Sequence, residues 1–321
     1  MESLTSPLTH FKEQFSYIPE VHNKEILTDY TNIVVCGMGG SAISVLLLKL
    51  LFPELQLSLH NTYGLPTLRD KASTLIIINS YSGNTEEVLD TFEQVKSSGL
   101  NMAILSLGGT LLDNAKALGG AYIQLPESSL ESRFSIGHQM IGLLTLMGKE
   151  AKIQILKQKI ELLDMTKIES AGKELADTFS GKFPVLYASA NFYPVAYLIK
   201  AAINEGAKIP SFVGQIPEAN HNELQSFVTD ETTNTSSQFC FLFLVSTYDH
   251  LRILKRFSVM ERMYKEKGFI SSNLTSDHTD VLKVFEMILT GYYMATYMAI
   301  AKNIDPYTTP FIAAFKKKLT E

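Results

Sequence analysis

An α/β fold is what this sequence predicts: two similar domains, each a parallel sheet with helices layered on both faces. Three observations carry the reading. Short apolar runs alternate with helical patterns through the first half of the chain. Two of the turns between them are polar and rich in glycine or hydroxyl side chains. The alternation then gives way to a charged stretch and restarts at Phe183. Alternation of this kind sets parallel strands side by side, with crossover helices between them. A length of 321 residues suits two domains of roughly 150 residues each, and we place them at 1–152 and 153–321.

The elements follow in order. "NIVVCG" reads as a strand and "SAISVLLLKLLF" as an apolar helix. "TLIIIN" is a second buried strand, β-branched and with few polar residues. "TEEVLDTFEQVKSSG" is an amphipathic helix: Val88, Leu89, Phe92 and Val95 recur at helical spacing and Gly99 supplies a stop. "NMAILSL" and "AYIQL" are further strands around a helix near Leu111 to Leu118. The charged stretch from Gly148 to Phe179 predicts helices leading out of the first domain. Then come "FPVLYAS" (strand), "FYPVAYLIKAAIN" (helix), "QFCFLFLVS" (strand), "LRILKRFSVMERMYKEKG" (helix) and "FISSNL" (strand), and two helical segments close the chain. Strand, polar turn, helix and glycine recur in "TLIIINSYSGNTEEVLDTFEQVKSSG" and "FLFLVSTYDHLRILKRFSVMERMYKEKG". We read these as two copies of one unit, of which the second has lost the serine–glycine–threonine set.

Composition narrows the function. Hydrophobic residues make up 45% and charged residues 19%, the balance of a core-forming chain. Net charge is −5, and the basic run Lys316–Lys318 is short, so neither nucleic acid nor an acidic membrane surface is expected as the main partner. Cys36 and Cys240 lie in apolar runs without metal-ligand spacing, which predicts buried thiols in a reducing compartment. The start "MESLTSPLTHFKEQF" lacks a signal-peptide layout, and "MILTGYYMATYMAIA" is too short for a membrane span. A cytoplasmic protein with a buried late helix is the expectation.

Two loops invite a ligand. "SYSGNTEE", Ser80 to Glu87, follows a strand and opens a helix. Ligands of α/β proteins bind at that carboxyl edge, and a helix start offers free N–H groups and a positive dipole end. Ser80, Ser82 and Thr85 add neutral donors there, and Gly83 allows close approach or positive φ. The set suits a dianion such as a sugar phosphate. The plainer alternative is that Thr85 is an N-cap, which needs one hydroxyl rather than three. "GMGGSA" also joins a strand to a helix and fits a dinucleotide fingerprint. A nicotinamide enzyme would want an acid near the end of the next strand, and none stands between Gln56 and Pro66.

"GMGGSAIS" followed by "SYSGNTEE" resembles the first sugar isomerase (SIS) domain of the bifunctional phosphoglucose/phosphomannose isomerases. "ESRFSIG", "INEGAKIP", "PEANHNEL" and "DPYTTPFIAAFKKKL" resemble later segments of that family, in its order and across nearly the whole chain. The resemblance implies two SIS-type domains and a homodimer with active sites near the subunit interface. It implies interconversion of glucose 6-phosphate or mannose 6-phosphate with fructose 6-phosphate, without metal or organic cofactor. By the same resemblance Ser80, Ser82 and Thr85 would bind the phosphate, with Gly40 and Ser41 lining the site. Glu205 would be the proton-transferring base, Arg133 would stabilise the enediolate and His221 would assist ring opening. Lys316 would contact the ring oxygen or hydroxyls.

Aldose–ketose chemistry asks for such types independently. One carboxylate can move a proton between C1 and C2, a guanidinium can hold the enediolate charge, and an imidazole can open the ring near neutrality. One base serving a flat enediol makes both C2 epimers conceivable substrates, and Thr309 is a candidate for shaping that tolerance. From the residues alone Glu218 and Glu223 rival Glu205, Arg133 has Glu131 nearby, and Lys316 has two lysine neighbours. The chain departs from the family at Tyr292 and Ala295, with a dimer contact or a helix cap near the site at stake, and at Gly206, where a polar residue is frequent; both departures bear on specificity. A non-catalytic SIS-domain sensor is the competing function; it would keep the hydroxyl loop without needing Glu205, His221 and Arg133 together.

Overall fold

A computed structural model of the chain describes residues 5–127, 131–227 and 235–319. Residues 1–4, where the N-terminal stretch read above begins, lie outside that description. The chain forms two compact units: His10–Leu162, and Met1–Thr9 together with Leu163–Glu321.

After a short helix α1 (Ser6–Thr9), the His10–Leu162 unit runs β1 (Asn32–Cys36), α2 (Gly39–Leu51), β2 (Ser58–His60), β3 (Thr74–Ser80), α3 (Glu86–Ser97), β4 (Met102–Ser106), α4 (Gly109–Ala117), β5 (Ala121–Gln124), α5 (Ile136–Leu146) and α6 (Glu150–Glu161). The five strands are parallel in the order β2-β1-β3-β4-β5. Cys36 pairs with Ile78 and Ser80 with Ser106, so the loops after β1, β3 and β4 open at one edge. Strand side chains alternate between faces. Val34, Cys36, Ile76, Ile78 and Ile104 pack on Val88, Phe92, Val95 and Leu111 of α3 and α4. The other face, with Val35, Ile77 and Leu105 fully buried, is covered by α2 and α5.

The second unit runs α7 (Met165–Thr178), β6 (Phe183–Ser189), α8 (Tyr193–Ala202), β7 (Phe212–Ile216), β8 (Phe239–Ser246), α9 (Leu251–Glu266), β9 (Ile270–Ser276), α10 (Val281–Ile300) and α11 (Pro310–Leu319). Its parallel order is β7-β6-β8-β9. Strand for strand this repeats β2-β1-β3-β4, with β8 in the place of β3, as the two-copy reading predicts. One face packs Val185, Tyr187, Phe241 and Phe243 against Phe257, Met260 and Tyr264 of α9. α10 is the apolar run of the sequence, buried along most of its length. Among the described residues no helix is long and apolar enough to cross a membrane. Tyr292 and Ala295 are buried in mid-helix, so neither caps a helix end.

Two elements escaped the periodicity. β7 is an edge strand interrupted by Gly214 with Phe212 exposed, so it shows no clear two-residue repeat. α5 is buried nearly all round and has no polar face to mark it. α8 also ends sooner than expected: Ile203–Ala207 is a π-helical turn. Cys36 and Cys240 are buried, and burial pushes both thiols up to about 12, which leaves them unreactive.

Candidate functional site

The loop after β3 is built from its own hydroxyls. Ser80 Oγ accepts from Gly83 N–H at 3.1 Å and donates to Thr85 Oγ1 at 3.1 Å. Ser82 Oγ accepts from Asn84 N–H at 3.3 Å. Ser80 is buried, Thr85 half-buried and Ser82 exposed, so the three form a graded wall from core to solvent. Thr85 stands at the N-cap position of α3, but its side chain makes no capping bond. Among the described residues nothing accepts from the N–H groups of Glu86 and Glu87. The plain-cap alternative therefore lacks its bond, and the helix start keeps donors for an anion.

Gly83 has a reason that was invisible in the sequence. Its φ is +70°, and a Cβ there would lie 1.7 Å from the carbonyl oxygen of Gly108. The backbone that approaches is the loop after β4, not a ligand. Ser106 Oγ donates to the carbonyls of Ser80 (2.7 Å) and Gly108 (2.9 Å), and Asn84 Oδ1 accepts from Thr110 N–H (3.0 Å). The hydroxyl loop is thus braced by its neighbour.

The glycine loop serves the same edge. Ser41 Oγ accepts from Tyr81 N–H at 3.2 Å and the Ser41 carbonyl accepts from Asn79 Nδ2 at 3.2 Å, so the two loops are tied together. Gly40 is buried against Ser132, where a Cβ would lie 2.6–2.7 Å from Ser132 atoms. That absence of a side chain seats the 3-10 turn Ser132–Phe134, which carries Arg133. Arg133 is only 4% exposed, with its guanidinium 4.7 Å from the centre of the Phe134 ring. Gly40, Ser41, Ser80, Ser82, Thr85 and Arg133 are thus linked through neighbouring loops of the first unit.

In the second unit Glu205 sits half-buried on the π-helical turn, a geometry that recurs at functional sites. It lines a cavity of about 490 Å³ with Asn204, Lys208, Thr309, Pro310 and Phe311. The structure therefore brings Glu205 and Thr309 together. Lys208 has left-handed backbone (φ 55°), and its Nζ donates to the Glu205 carbonyl and, at 2.5 Å, to the Thr308 carbonyl. It staples the segment before α11 to the Glu205 turn.

The rival carboxylates lie elsewhere. Glu218 is exposed, and Glu223 turns toward the aromatic core beside Tyr187, whose phenol burial and that neighbourhood push far up. His221 ends the exposed 3-10 turn Glu218–His221. Its neighbour Asn220 is held from both sides, donating to Met260 Sδ (3.2 Å) and accepting from Arg256 Nη1 (3.3 Å). Lys316 lies on α11, which has no buried residue. Neither His221 nor Lys316 lines the Glu205 cavity. Among the described residues there is no cluster of metal-ligating side chains.

Sequence reasoning missed Gln14, Gln139 and Lys208. Gln139 carried a signal, as an amide inside the apolar run "IGHQMIGLL", whereas Gln14 and Lys208 carried none beyond their motifs.

Two parallel sheets of repeated order, each with loops gathered at one carboxyl edge, define a two-domain α/β protein of SIS type. Residues 168–319 match the bacterial phospho-glucose isomerase C-terminal SIS domain. A hypothetical protein of Thermus thermophilus shares the fold at a TM-score of 0.69 and 14% identity, over 99% of this chain and 89% of that one. The bifunctional phosphoglucose/phosphomannose isomerase of Thermoplasma volcanium is 30% identical over 90% of this chain and 92% of its own. That of Aquifex aeolicus is 28% identical over 99% of both. The chain belongs to the bifunctional phosphoglucose/phosphomannose isomerase family.

Proposed function

We propose that the protein is an aldose–ketose isomerase that interconverts glucose 6-phosphate and mannose 6-phosphate with fructose 6-phosphate. The observation that carries this is similarity along 99% of the chain to a relative of that name. The geometry supports it with a loop that leaves helix N–H groups and hydroxyls for a dianion. In this reading Ser80, Ser82, Thr85 and the start of α3 hold the phosphate, while Gly40 and Ser41 shape the wall beside it. His221 assists ring opening. Glu205 takes the proton from C2 of the open aldose; the electrons left behind form the C1–C2 double bond of a cis-enediolate, and the C1 carbonyl becomes its oxyanion. Arg133 stabilises that charge. A hydroxyl proton passes from O2 to O1, Glu205 returns its proton to C1, and the carbonyl now stands at C2. Because the enediolate is flat at C2, a proton can be returned there to give either epimer; Thr309, on the Glu205 cavity, shapes which is favoured. Lys316 contacts the sugar oxygens.

A second copy of the chain is the expected partner. α11 exposes Phe311 (89%), Phe315 (60%) and Leu319 (55%) on a helix that also carries Lys316, an apolar face suited to a homodimer contact near the chemistry. The two buried thiols suit a cytoplasmic location.

The test is incubation of the purified protein with fructose 6-phosphate and no added cofactor, assaying both aldose products. Formation of glucose 6-phosphate and mannose 6-phosphate is expected. Binding of fructose 6-phosphate without either product would overturn the enzyme in favour of the sensor.

A further inference from the structure

Arg133 lies at the middle of a three-residue 3-10 turn. Such turns have poor internal hydrogen bonds, and buried carbonyls need donors from elsewhere. The Ser132 carbonyl accepts the turn's own bond from Ser135 N–H at 3.2 Å, and two buried glutamines add further donors. Gln139 Nε2, on α5, donates to the Ser132 carbonyl at 3.1 Å. Gln14 Nε2 donates to the Phe134 carbonyl at 2.7 Å, and its Oε1 accepts from Gly137 N–H at 3.0 Å. Ser132 and Phe134 flank Arg133, so one amide pins the peptide entering the arginine and the other the peptide leaving its turn. Gln14 reaches across 120 positions of sequence to do so.

Gln139 is poorly explained as a stability device. Gln14 is 2% exposed and Gln139 0%. Gln139 Oε1 is buried without a partner among the described residues, a cost of about 1–3 kcal/mol that an aliphatic side chain would not carry. What both amides supply is direction. We propose that Gln139 and Gln14 are positioning residues that hold Arg133 in the orientation needed to meet the developing enediolate. The inference rests on the role given to Arg133 above. Misplacement of a stabilising group by about 1 Å costs up to roughly 100-fold in rate, whereas the phosphate loop, and hence KM, is untouched.

The experiment uses the full-length chain with Gln139→Leu and Gln14→Leu, Arg133→Ala, and the double variant Arg133→Ala/Gln139→Leu. Gln139→Met and Gln14→Met replace any leucine variant that fails to fold. Steady-state kinetics on fructose 6-phosphate are read beside thermal midpoints. Arg133→Ala is expected to lower kcat about 100- to 1000-fold. Each glutamine variant should lower kcat about 10-fold with KM within about 2-fold; the midpoint should be unchanged or raised for Gln139→Leu and lowered for Gln14→Leu, which leaves the Gly137 N–H without its acceptor. In the Arg133→Ala background Gln139→Leu should add no further loss, because the amide acts through the arginine. Wild-type kcat in folded glutamine variants, or a full additive loss in the double variant, would overturn the positioning role while leaving that of Arg133 intact. Wild-type kcat in Arg133→Ala would overturn both.

Discussion

The loops after β3 and β8 are the same device in two conditions. Each strand ends in a serine, Ser80 or Ser246, whose Oγ accepts a nearby N–H: Gly83 at 3.1 Å, Tyr248 at 3.2 Å. Beyond that they diverge. In the first loop the hydroxyl chain runs on to Thr85 and the start of α3 keeps its donors. In the second, Asp249 takes the place of Gly83, three residues beyond the strand end, and brings the chain's own anion. Its carboxylate accepts from Ser246 N–H (3.3 Å) and Asn191 Nδ2 (2.8 Å) and is 7% exposed. Ser246 Oγ lies 2.6 Å from His278 Nδ1, and His250 caps α9 by accepting from Arg252 N–H. The second loop did not lose its fold; its donors were satisfied from within. In the first loop the helix start is left open, and in the second the chain's own side chains fill it.

That contrast can be broken at several points. The largest effect is expected from Glu205→Gln, which separates holding from chemistry. Turnover should fall by at least about 1000-fold, while fructose 6-phosphate still binds in calorimetry; retained turnover would move the base elsewhere. Next comes Ser82→Ala combined with Thr85→Ala. Hydrogen bonds to a charged group contribute about 1.5–3 kcal/mol each, so affinity for fructose 6-phosphate should drop by at least about 10-fold with a smaller change in kcat. Unchanged affinity would count against the first loop as the phosphate holder.

Asp249→Ala should do the reverse. Leaving buried donors unpaired costs about 1–3 kcal/mol, visible as a lower urea midpoint, while KM stays within about 2-fold of wild type. A rise in KM like that of the Ser82/Thr85 variant would mean that the second loop also holds substrate. The smallest effect concerns the support of the first loop's surroundings. His138, on α5, is held neutral by burial, which pushes it down to about 4, with Ser135 Oγ at 3.1 Å from its Nδ1. Unfolded, it titrates near 6.5. Below that pH the unfolded chain takes up a proton that the folded chain refuses, so stability should decline from about pH 6.5 to about 4 and not further on this account. His138→Gln should flatten that part of the urea-midpoint profile; an unchanged slope would assign it to other groups.

Much of this was legible in the residues. The β3–α3 and β8–α9 units stood out because each is a buried strand followed by a strongly amphipathic helix, and burial on one face leaves a period. Ser80, Ser82 and Thr85 could be singled out because polar residues clustered after apolar runs are unusual, whereas Glu205 was separated from Glu218 and Glu223 only by the family resemblance. β7 and α5 were hidden for opposite reasons: an exposed edge has too little burial to leave a pattern, and a helix buried all round has too much. The helix read in "FYPVAYLIKAAIN" runs up to Glu205, but Glu205 stands on a π-helical turn, whose wider winding changes the direction of the side chain without changing the composition.

By itself the sequence determined the class of fold, the two-copy plan and the residue types available for sugar-phosphate chemistry, because apolar periodicity and local turn chemistry are written in neighbouring residues. Only the tertiary structure decided that Thr85 leaves α3 uncapped, that Gly83 makes room for Gly108, that Asp249 fills the second loop and that Gln14 and Gln139 grip the turn of Arg133. Those outcomes depend on which donor meets which acceptor across long stretches of chain. A hydrogen bond is decided by fractions of an ångström and by direction, and neither is written in the spacing of the residues that make it.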